Sequence, residues 1–404
     1  MEKKEITFIT TGYFPIPPIL GGAVENLIYS LVLENEVYGN FNFVIYSVEN
    51  KKAEEEIVNL KNTKINFIKI PNIIKKIDKL IYWIATNILR IEKNLSFRYI
   101  VQRLWYEYKV ALELDKKNYD KIIIENIPML FLIFKYRKNM KKYEDKIYFH
   151  IHNEIGIKIL CKKEIMKSKA IIGVSDFIIQ TFKEKFTSYS GKTYVLKNCV
   201  IQNKKIAFKE NIREKYGISK KDFLILFVGR LSKEKGVKEL LEAYKKLNIS
   251  DTHLLIVGGN YYGSNVKSHY EQELYELTRE TDKKITFTGY QDFEKINFFY
   301  SESDVAVFPA IWNEPAGLTI IEAMAMGVPI ITTNVGGIQE YVGKDNVILL
   351  EKNEFIIEKI KESIIYIYNN KNKVKEKALL SQKVAKSYTE KKYYEEFTKI
   401  ISEE

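Results

Sequence analysis

The sequence predicts an α/β chain of two doubly wound domains with parallel sheets, and three observations carry that prediction. Short apolar runs alternate with helical patterns in both halves, which is how βαβ units read. Residues 201–221 are polar and charged, and the pattern then restarts with Phe223–Val228, an apolar run fit for a strand buried on both faces. A chain of 404 residues is also too long for one ordinary core, so two domains of about 200 residues are the natural division.

Composition narrows the class. Hydrophobic content of 46% is that of a soluble protein. Cys161 and Cys199 are far apart, make neither a metal pattern nor a disulfide framework, and read as buried thiols in a reducing compartment. The N-terminus runs straight into a strand without a secretory apolar region, and no apolar run approaches the roughly 18 residues needed to span a bilayer. A cytoplasmic protein is expected. The net charge of +12 has two readings: a Lys- and Ile-rich bias, since lysines are scattered among many glutamates, and a modest preference for an anionic membrane surface. No helix-turn-helix, RNP-type aromatic motif or Cys/His finger supports a nucleic-acid partner.

Taken in order, Glu5 to Thr10 is a strand. The Gly/Pro loop that follows ends in Gly21-Gly22-Ala23-Val24-Glu25, and a helix then places Val24, Leu27, Ile28 and Leu31 at helical spacing. Paired glycines at a helix start suit an anion or a plain tight turn, and both readings stand. The loop is not the dinucleotide G-x-G-x-x-G fingerprint, which argues against an oxidoreductase. Phe43 to Val48, Ile65 to Ile70 and Lys121 to Ile124 are further strands. Asn72 to Leu114 between them reads as largely helical and amphipathic, with Ile73, Ile74, Ile77, Leu80, Ile81, Trp83, Ile84, Ile88, Leu89 and Trp105 among Lys and Arg residues. It suits either an anionic bilayer surface or helices packed on a sheet with a solvated basic face. Lys146 to Glu154 is a strand on which His150 and His152 face the same side. Two histidines alone make a thin metal site, and the chain has no D-x-D cluster. Ala170 to Ser175 is the next strand, with Ser175-Asp176 as a helix start.

In the second half, Phe223–Val228 leads into Gly229-Arg230-Leu231-Ser232-Lys233-Glu234-Lys235-Gly236 and a helix with Val237, Leu240, Leu241 and Tyr244. Arg230 and Lys235 therefore project from a βα loop, either toward a diphosphate or into surface ion pairs with Glu234 or Glu239. His253 to Gly259, Ile285 to Tyr290 and Val305 to Phe308 are further strands. Asn313 to Gly317 is then a loop feeding a short helix that Gly327 stops and Pro329 keeps from resuming. Ile330 to Thr333 is the next strand, Gly336-Gly337 opens another helix, and Glu354 to Glu404 is helical and charged.

If the loop ends of the two domains face each other, one wall offers Gly21, Gly22 and His152. The other offers Arg230, Lys235 and the loop from Glu314 to Glu322. The N–H groups of Gly317 and Leu318 are free at the helix start and suit a phosphate. Glu322, on the face shared with Thr319, suits a ribose diol, and Glu314 suits other hydroxyls. Phosphate, ribose and sugar hydroxyls in one row describe a nucleotide sugar.

Gly229-Arg230-Leu231 followed by Lys235-Gly236, and Glu314-x7-Glu322 containing Ala316-Gly317-Leu318, resemble the signatures of retaining GT-B glycosyltransferases of family 4. Gly21-Gly22-Ala23-Val24-Glu25 resembles that family's N-terminal loop, and His152-Asn153 its histidine. Asn198-Cys199 departs from the Asn-Gly of many members. The resemblance implies a GT-B fold: a Rossmann-like, acceptor-binding domain over 1–200, a nucleotide-sugar-binding one over 201–384, and a C-terminal helix of about 385–404 crossing back to the first. It implies metal-independent transfer with retention from a nucleotide sugar, UDP-linked as the common donor, to a glycan or lipid-linked acceptor of bacterial surface polysaccharide synthesis. No cofactor is implied beyond the donor. By the same resemblance, Arg230 and Lys235 stabilise the diphosphate and Glu314 holds the donor sugar through a loop that includes Pro315 and Ala316. Glu322 then holds the ribose, His152 the sugar near its C6, and the backbone of Gly289 and Tyr290 meets the base. A glycoside hydrolase is the first alternative, because paired carboxylates also serve that chemistry, but it leaves Arg230, Lys235 and the helix start idle. A non-catalytic nucleotide-sugar-binding protein is the second, and it is disfavoured because the Arg/Lys/Glu set is intact.

Overall fold

The computed structural model describes residues 3–57, 59–89, 99–156, 161–201, 211–259, 268–343 and 346–403. The chain divides into two compact units. The first comprises Met1–Val174, Ile178–Leu196 and Tyr394–Glu404, and the second comprises Ser175–Phe177 and Lys197–Tyr393.

Seven parallel strands form the first unit's sheet: β1 (Glu5–Ile9), β2 (Asn42–Val48), β3 (Thr63–Ile68), β4 (Lys121–Glu125), β5 (Ile147–Ile151), β6 (Ala170–Gly173) and β7 (Lys192–Val195), in the order β3-β2-β1-β4-β5-β6-β7. Ile122, Ile123 and Ile124 are all fully buried, because helices cover both faces of a parallel sheet and an uninterrupted β-branched run fits it. The last helix, Glu390–Ser402, returns its final residues to this unit. There Phe397 stacks on Phe8 at 5.7 Å, and the buried Tyr394 hydroxyl donates to Asn35 Oδ1 at 2.8 Å.

The second unit's sheet has six parallel strands: β8 (Phe223–Val228), β9 (Thr252–Val257), β10 (Ile285–Gly289), β11 (Val305–Phe308), β12 (Ile330–Thr333) and β13 (Ile348–Leu350), in the order β10-β9-β8-β11-β12-β13. Its core joins Ile225 and Phe227 of β8 to Leu240 and Leu241 of the following helix and to Ile360 and Ile364 of helix Ile356–Asn369. In both sheets the strand order reverses once, between β1 and β4 and between β8 and β11. Such a switch point leaves a crevice beyond the strand ends where ligands bind.

The long segment expected to be helical from Asn72 to Leu114 contains two helices, Asn72–Asn87 and Ile100–Lys116. The buried Asp78 joins them by accepting the N–H groups of Val101 and Gln102, each at 2.9 Å, at the start of the second helix. Among the elements outside the sequence expectation, β13 is too short to show a period, whereas the helices His269–Arg279 and Ile296–Glu302 carry local helical signals. The first of them begins with a Ser268–Glu271 capping box. Cys161 and Cys199 are buried free thiols, and burial pushes the Cys161 thiol up to about 11, which leaves it inert at neutral pH.

Candidate active site

The switch point of the second unit brings the loops after β8 and β11 together. Two backbone contacts lock them. The Ile311 N–H donates to the Glu234 carbonyl at 2.9 Å, and Gly236, at φ +70°, lies so close to Pro309 that a Cβ there would sit 1.9 Å from its carbonyl oxygen. Lys235, between Glu234 and Gly236, is thereby aimed across the crevice. Its Nζ meets Glu314 Oε2 at 2.5 Å, and the Trp312 indole N–H donates to the same oxygen at 3.1 Å. The pair is half-buried, with side-chain exposures of 21% and 14%. A small pocket beside it is lined by Phe227, Lys235, Phe308, Glu314, Gly317 and Thr319. Of the two ion-pair partners considered for Lys235, neither Glu234 nor Glu239 is the one it takes.

The Glu314 loop is held from behind by the next glycine turn. The Gly337 N–H donates to the Glu314 carbonyl at 2.8 Å. Gly336, at φ +60°, approaches the same residue so closely that a Cβ would lie 2.3 Å from its oxygen. Pro315 and Ala316 are buried, and Gly317 at φ +72° turns the chain into helix Leu318–Ala325, whose first N–H groups have no intrahelical acceptors. Thr319 accepts the Tyr300 hydroxyl at its carbonyl, 2.9 Å away. Glu322 follows one turn later. Burial pushes its carboxyl up to about 8 against the opposing hydrogen bond from Tyr300, so it is largely protonated at neutral pH.

That shift predicts a pH effect on stability. A carboxyl at about 4.5 when unfolded and about 8 when folded binds more protons in the folded state between those values, so its ionisation erodes stability as pH rises. Thermal melts should fall between pH 6.5 and 8, and the fall should be shallower in Glu322→Gln. An unchanged slope in that variant would refute the assignment.

The remaining residues singled out in this unit lie at other points of the same strand-end surface. Arg230 is exposed at the end of β8. Glu234 beside it is held below the usual carboxylate range, first by a Ser232 hydrogen bond and also by the charges of Arg230 and Lys235. Gly229 packs against Gly258, where a Cβ would lie 2.0 Å from the Gly229 oxygen. Gly289 ends β10, two strands from β8, and its carbonyl accepts the Gly258 N–H at 3.0 Å. Tyr290 next to it is 37% exposed.

In the first unit, β4 and β5 end in a buried ionisable cluster. His150 Nδ1 and His152 Nε2 approach the same Glu125 oxygen at 3.2 and 3.1 Å. Burial pushes the Glu125 carboxyl up, but His150 by charge and hydrogen bond, and His152 likewise, outweigh it and bring it down to about 2. Burial and the charge of His150 push the His152 imidazole down to about 4 against the opposing carboxylate. Asn126, at φ +59°, pins the end of β5: its N–H donates to the His150 carbonyl at 2.8 Å and its side chain accepts the His152 N–H at 3.0 Å. Among the described residues, Glu125, His150 and His152 are the group whose donor atoms lie close enough together, within 4.8 Å, to hold a cation. As they stand, the carboxylate receives hydrogen bonds from both rings.

The loop after β1 adds Gly21 and Gly22, both with positive φ. A Cβ on Gly22 would lie 2.3 Å from Glu25 Oε2, so this glycine makes room for a carboxylate folded back beneath the loop. Glu25 accepts the Thr11 hydroxyl at 2.7 Å, and burial pushes its carboxyl up to about 7. Sequence reasoning missed Glu25, Glu125, Tyr300 and Trp312 as members of these clusters. Glu125 had a signal, a charged residue closing the apolar run that begins at Lys121. Tyr300 had none, since its partners are distant in sequence.

Residues 208–385 match the family model of the glycosyl transferases group 1. Spore coat protein SA of Bacillus subtilis (strain 168) is 27% identical over 368 residues, covering 85% of each chain. The lipopolysaccharide 1,2-N-acetylglucosaminetransferase of Salmonella typhimurium is 25% identical over 342 residues, covering 84% of this chain and 82% of that protein. Among solved structures, Anabaena Alr3699/HepE in complex with UDP-glucose aligns with a TM-score of 0.69 at 17% identity, over 98% of this chain and 99% of that one. Sucrose-phosphate synthase from Thermosynechococcus elongatus aligns with a TM-score of 0.74 at 16% identity, over 98% of each.

Proposed function

We propose that this chain, whose residues 208–385 match the model of the glycosyl transferases group 1 and which has the GT-B fold, moves a sugar from a nucleotide sugar to a glycan or lipid-linked acceptor, with retention and without a metal, in bacterial surface polysaccharide synthesis at the cytoplasmic face of the membrane. The observation that carries this reading is the Lys235–Glu314 pair facing the start of helix Leu318–Ala325 at the switch point of the second unit. A cation, a hydroxyl-binding carboxylate and free backbone N–H groups are the three partners that a sugar diphosphate needs.

In this reading the donor diphosphate lies at the helix start, with Lys235 and the exposed Arg230 on its charged oxygens. Glu314, released from Lys235, takes the sugar hydroxyls. The bond from the anomeric carbon to the phosphate oxygen breaks as the acceptor oxygen bonds to the same face of that carbon. The acceptor's proton passes to the departing phosphate. Negative charge grows on the diphosphate as that bond breaks, so the cations bind the transition state more strongly than the ground state. Glu322 takes the ribose diol, Gly289 and Tyr290 meet the base, His152 takes the donor sugar near its C6, and the first unit serves the acceptor.

A UDP-linked donor is supported by the HepE complex, whose fold this chain shares. The relatives named for spore coat and lipopolysaccharide support a surface glycan as product. A thermal-shift screen against UDP-, GDP-, dTDP- and ADP-sugars tests the reading. A ligand present at a hundred times its Kd stabilises by about 2.7 kcal/mol, so the cognate donor should stand out. If none of these donors shifts the melt, the proposal fails. The protonated Glu322 adds a second expectation. If the carboxylate form is the one that accepts the ribose hydroxyls, nucleotide affinity should rise between pH 6.5 and 8.5 in the wild type and stay flat in Glu322→Gln, as titration calorimetry would show.

A further inference from the structure

The ionisable cluster at the ends of β4 and β5 has more bonding capacity than its hydrogen bonds use. His150 and His152 lie two residues apart on one strand, so their rings share a face, and the register of β4 on β5 sets Glu125 beside His150. All three side chains are buried, yet His150 Nε2 and Glu125 Oε1 have no hydrogen-bond partner among the described residues. Glu125 Oε2 meets both rings, at 3.2 and 3.1 Å. A tetrahedral zinc ion with bonds of about 2.0–2.1 Å holds its ligand atoms about 3.3–3.4 Å apart, so these two edges already have nearly the required length. The three residues offer donor atoms that all lie within 4.8 Å of one another. Asn126, at φ +59°, keeps the set in place by bonding the backbone of both histidines.

We propose that Glu125, His150 and His152 form a site for zinc or a neighbouring late first-row divalent ion, with one coordination position left open, and that an ion bound there inhibits the chain by taking His152 from the donor sugar. Two imidazole nitrogens and one carboxylate oxygen suit such an ion, whereas magnesium prefers a shell of oxygens. The ion replaces the protons that lie between the rings and the Glu125 oxygen, and each of these protons moves to the ring's other nitrogen or to solvent. His152 is the least buried of the three, at 8%, and so marks the side from which an ion enters. The ion takes no part in transfer, since in the reaction proposed above the acceptor's proton passes to the departing phosphate. The binding follows from the geometry alone; the inhibition rests on the role proposed for His152.

Titration of the metal-free full chain with Co2+ and Zn2+ tests it. Cobalt should give the visible absorption bands of a tetrahedral site, Zn2+ should displace it, and Mg2+ should not. Glu125→Gln, His150→Gln and His152→Gln should each weaken zinc binding by more than about a hundredfold, since even the loss of a group that only orients a ligand costs roughly 10–100-fold. His269→Gln removes an exposed ring outside the cluster and should bind zinc as the wild type does. For any buried variant that fails to fold, X-ray absorption of the zinc-loaded wild type decides instead, and should show two imidazole nitrogens and one carboxylate oxygen on the ion. Absent cobalt bands, full binding in folded His150→Gln or His152→Gln, or a shell without two imidazoles overturns the site. The bands need no substrate, so they decide the site even if the chain transfers no sugar. Turnover with the donor that shifts the melt should fall in Zn2+ and return with EDTA; turnover unchanged at saturating Zn2+ overturns the inhibition.

Discussion

Lys235→Ala should lower kcat by about two orders of magnitude while the second unit stays folded. Its Nζ lies 2.5 Å from Glu314 in the free protein, so the ammonium is already in the crevice and needs only to exchange one anion for another when the diphosphate arrives. Removing one preorganised donor from a developing charge costs about 10²–10³ in rate, far more than the same contact is worth in the ground state. KM should therefore change much less than kcat. Removing either member of the pair also leaves the other charge half-buried and unpaired. For that reason stability has to be read beside turnover, and Glu314→Ala with the double variant completes the cycle. If the two residues act on one donor, the double variant should lose less than the product of the single losses. Near-normal turnover in folded Lys235→Ala would remove this residue from the chemistry.

The second large effect is expected at a residue that bears no functional group. Gly336→Ala should destabilise the protein by about 1–3 kcal/mol through its left-handed backbone alone. It should also cut turnover at least tenfold, because its Cβ would lie 2.3 Å from the Glu314 oxygen and 2.8 Å from the Glu314 nitrogen, so the clamp must move. A displacement of about 1 Å in a positioning group can cost a hundredfold. The control is Gly217→Ala. Gly217 has the same sign of φ, +65°, but a Cβ there meets nothing within 4 Å, so it should lose stability and keep its rate. Equal rates in the two variants would show that the Gly336 contact does not position Glu314.

The two sites differ in how much of them local pattern could reveal. The Arg230, Lys235 and Glu314–Glu322 motifs stand on short loops between strong strand and helix signals, so their residues and their strand-end location follow from the chain read in order. The partnerships do not. That Glu314 rather than Glu234 or Glu239 receives Lys235 depends on β8 and β11 being neighbours at a strand-order reversal, which joins residues 79 apart. The Gly21-Gly22 turn was equally open to two readings, and the tertiary structure supplies a third element, Glu25 folded beneath it.

The class of the fold, the βα repeats, and the identity of the loops that carry charge and glycine are legible along the chain, because periodicity, turn chemistry and apolar runs act over a few residues. Which charges meet, which are buried, and hence which are protonated follows from the packed fold. The acid state of Glu322 depends on Tyr300 and on burial, and the low-lying Glu125 depends on two histidines of the next strand. Such quantities are set by what packs around a side chain, and packing is a property of segments that are distant along the chain and adjacent in space.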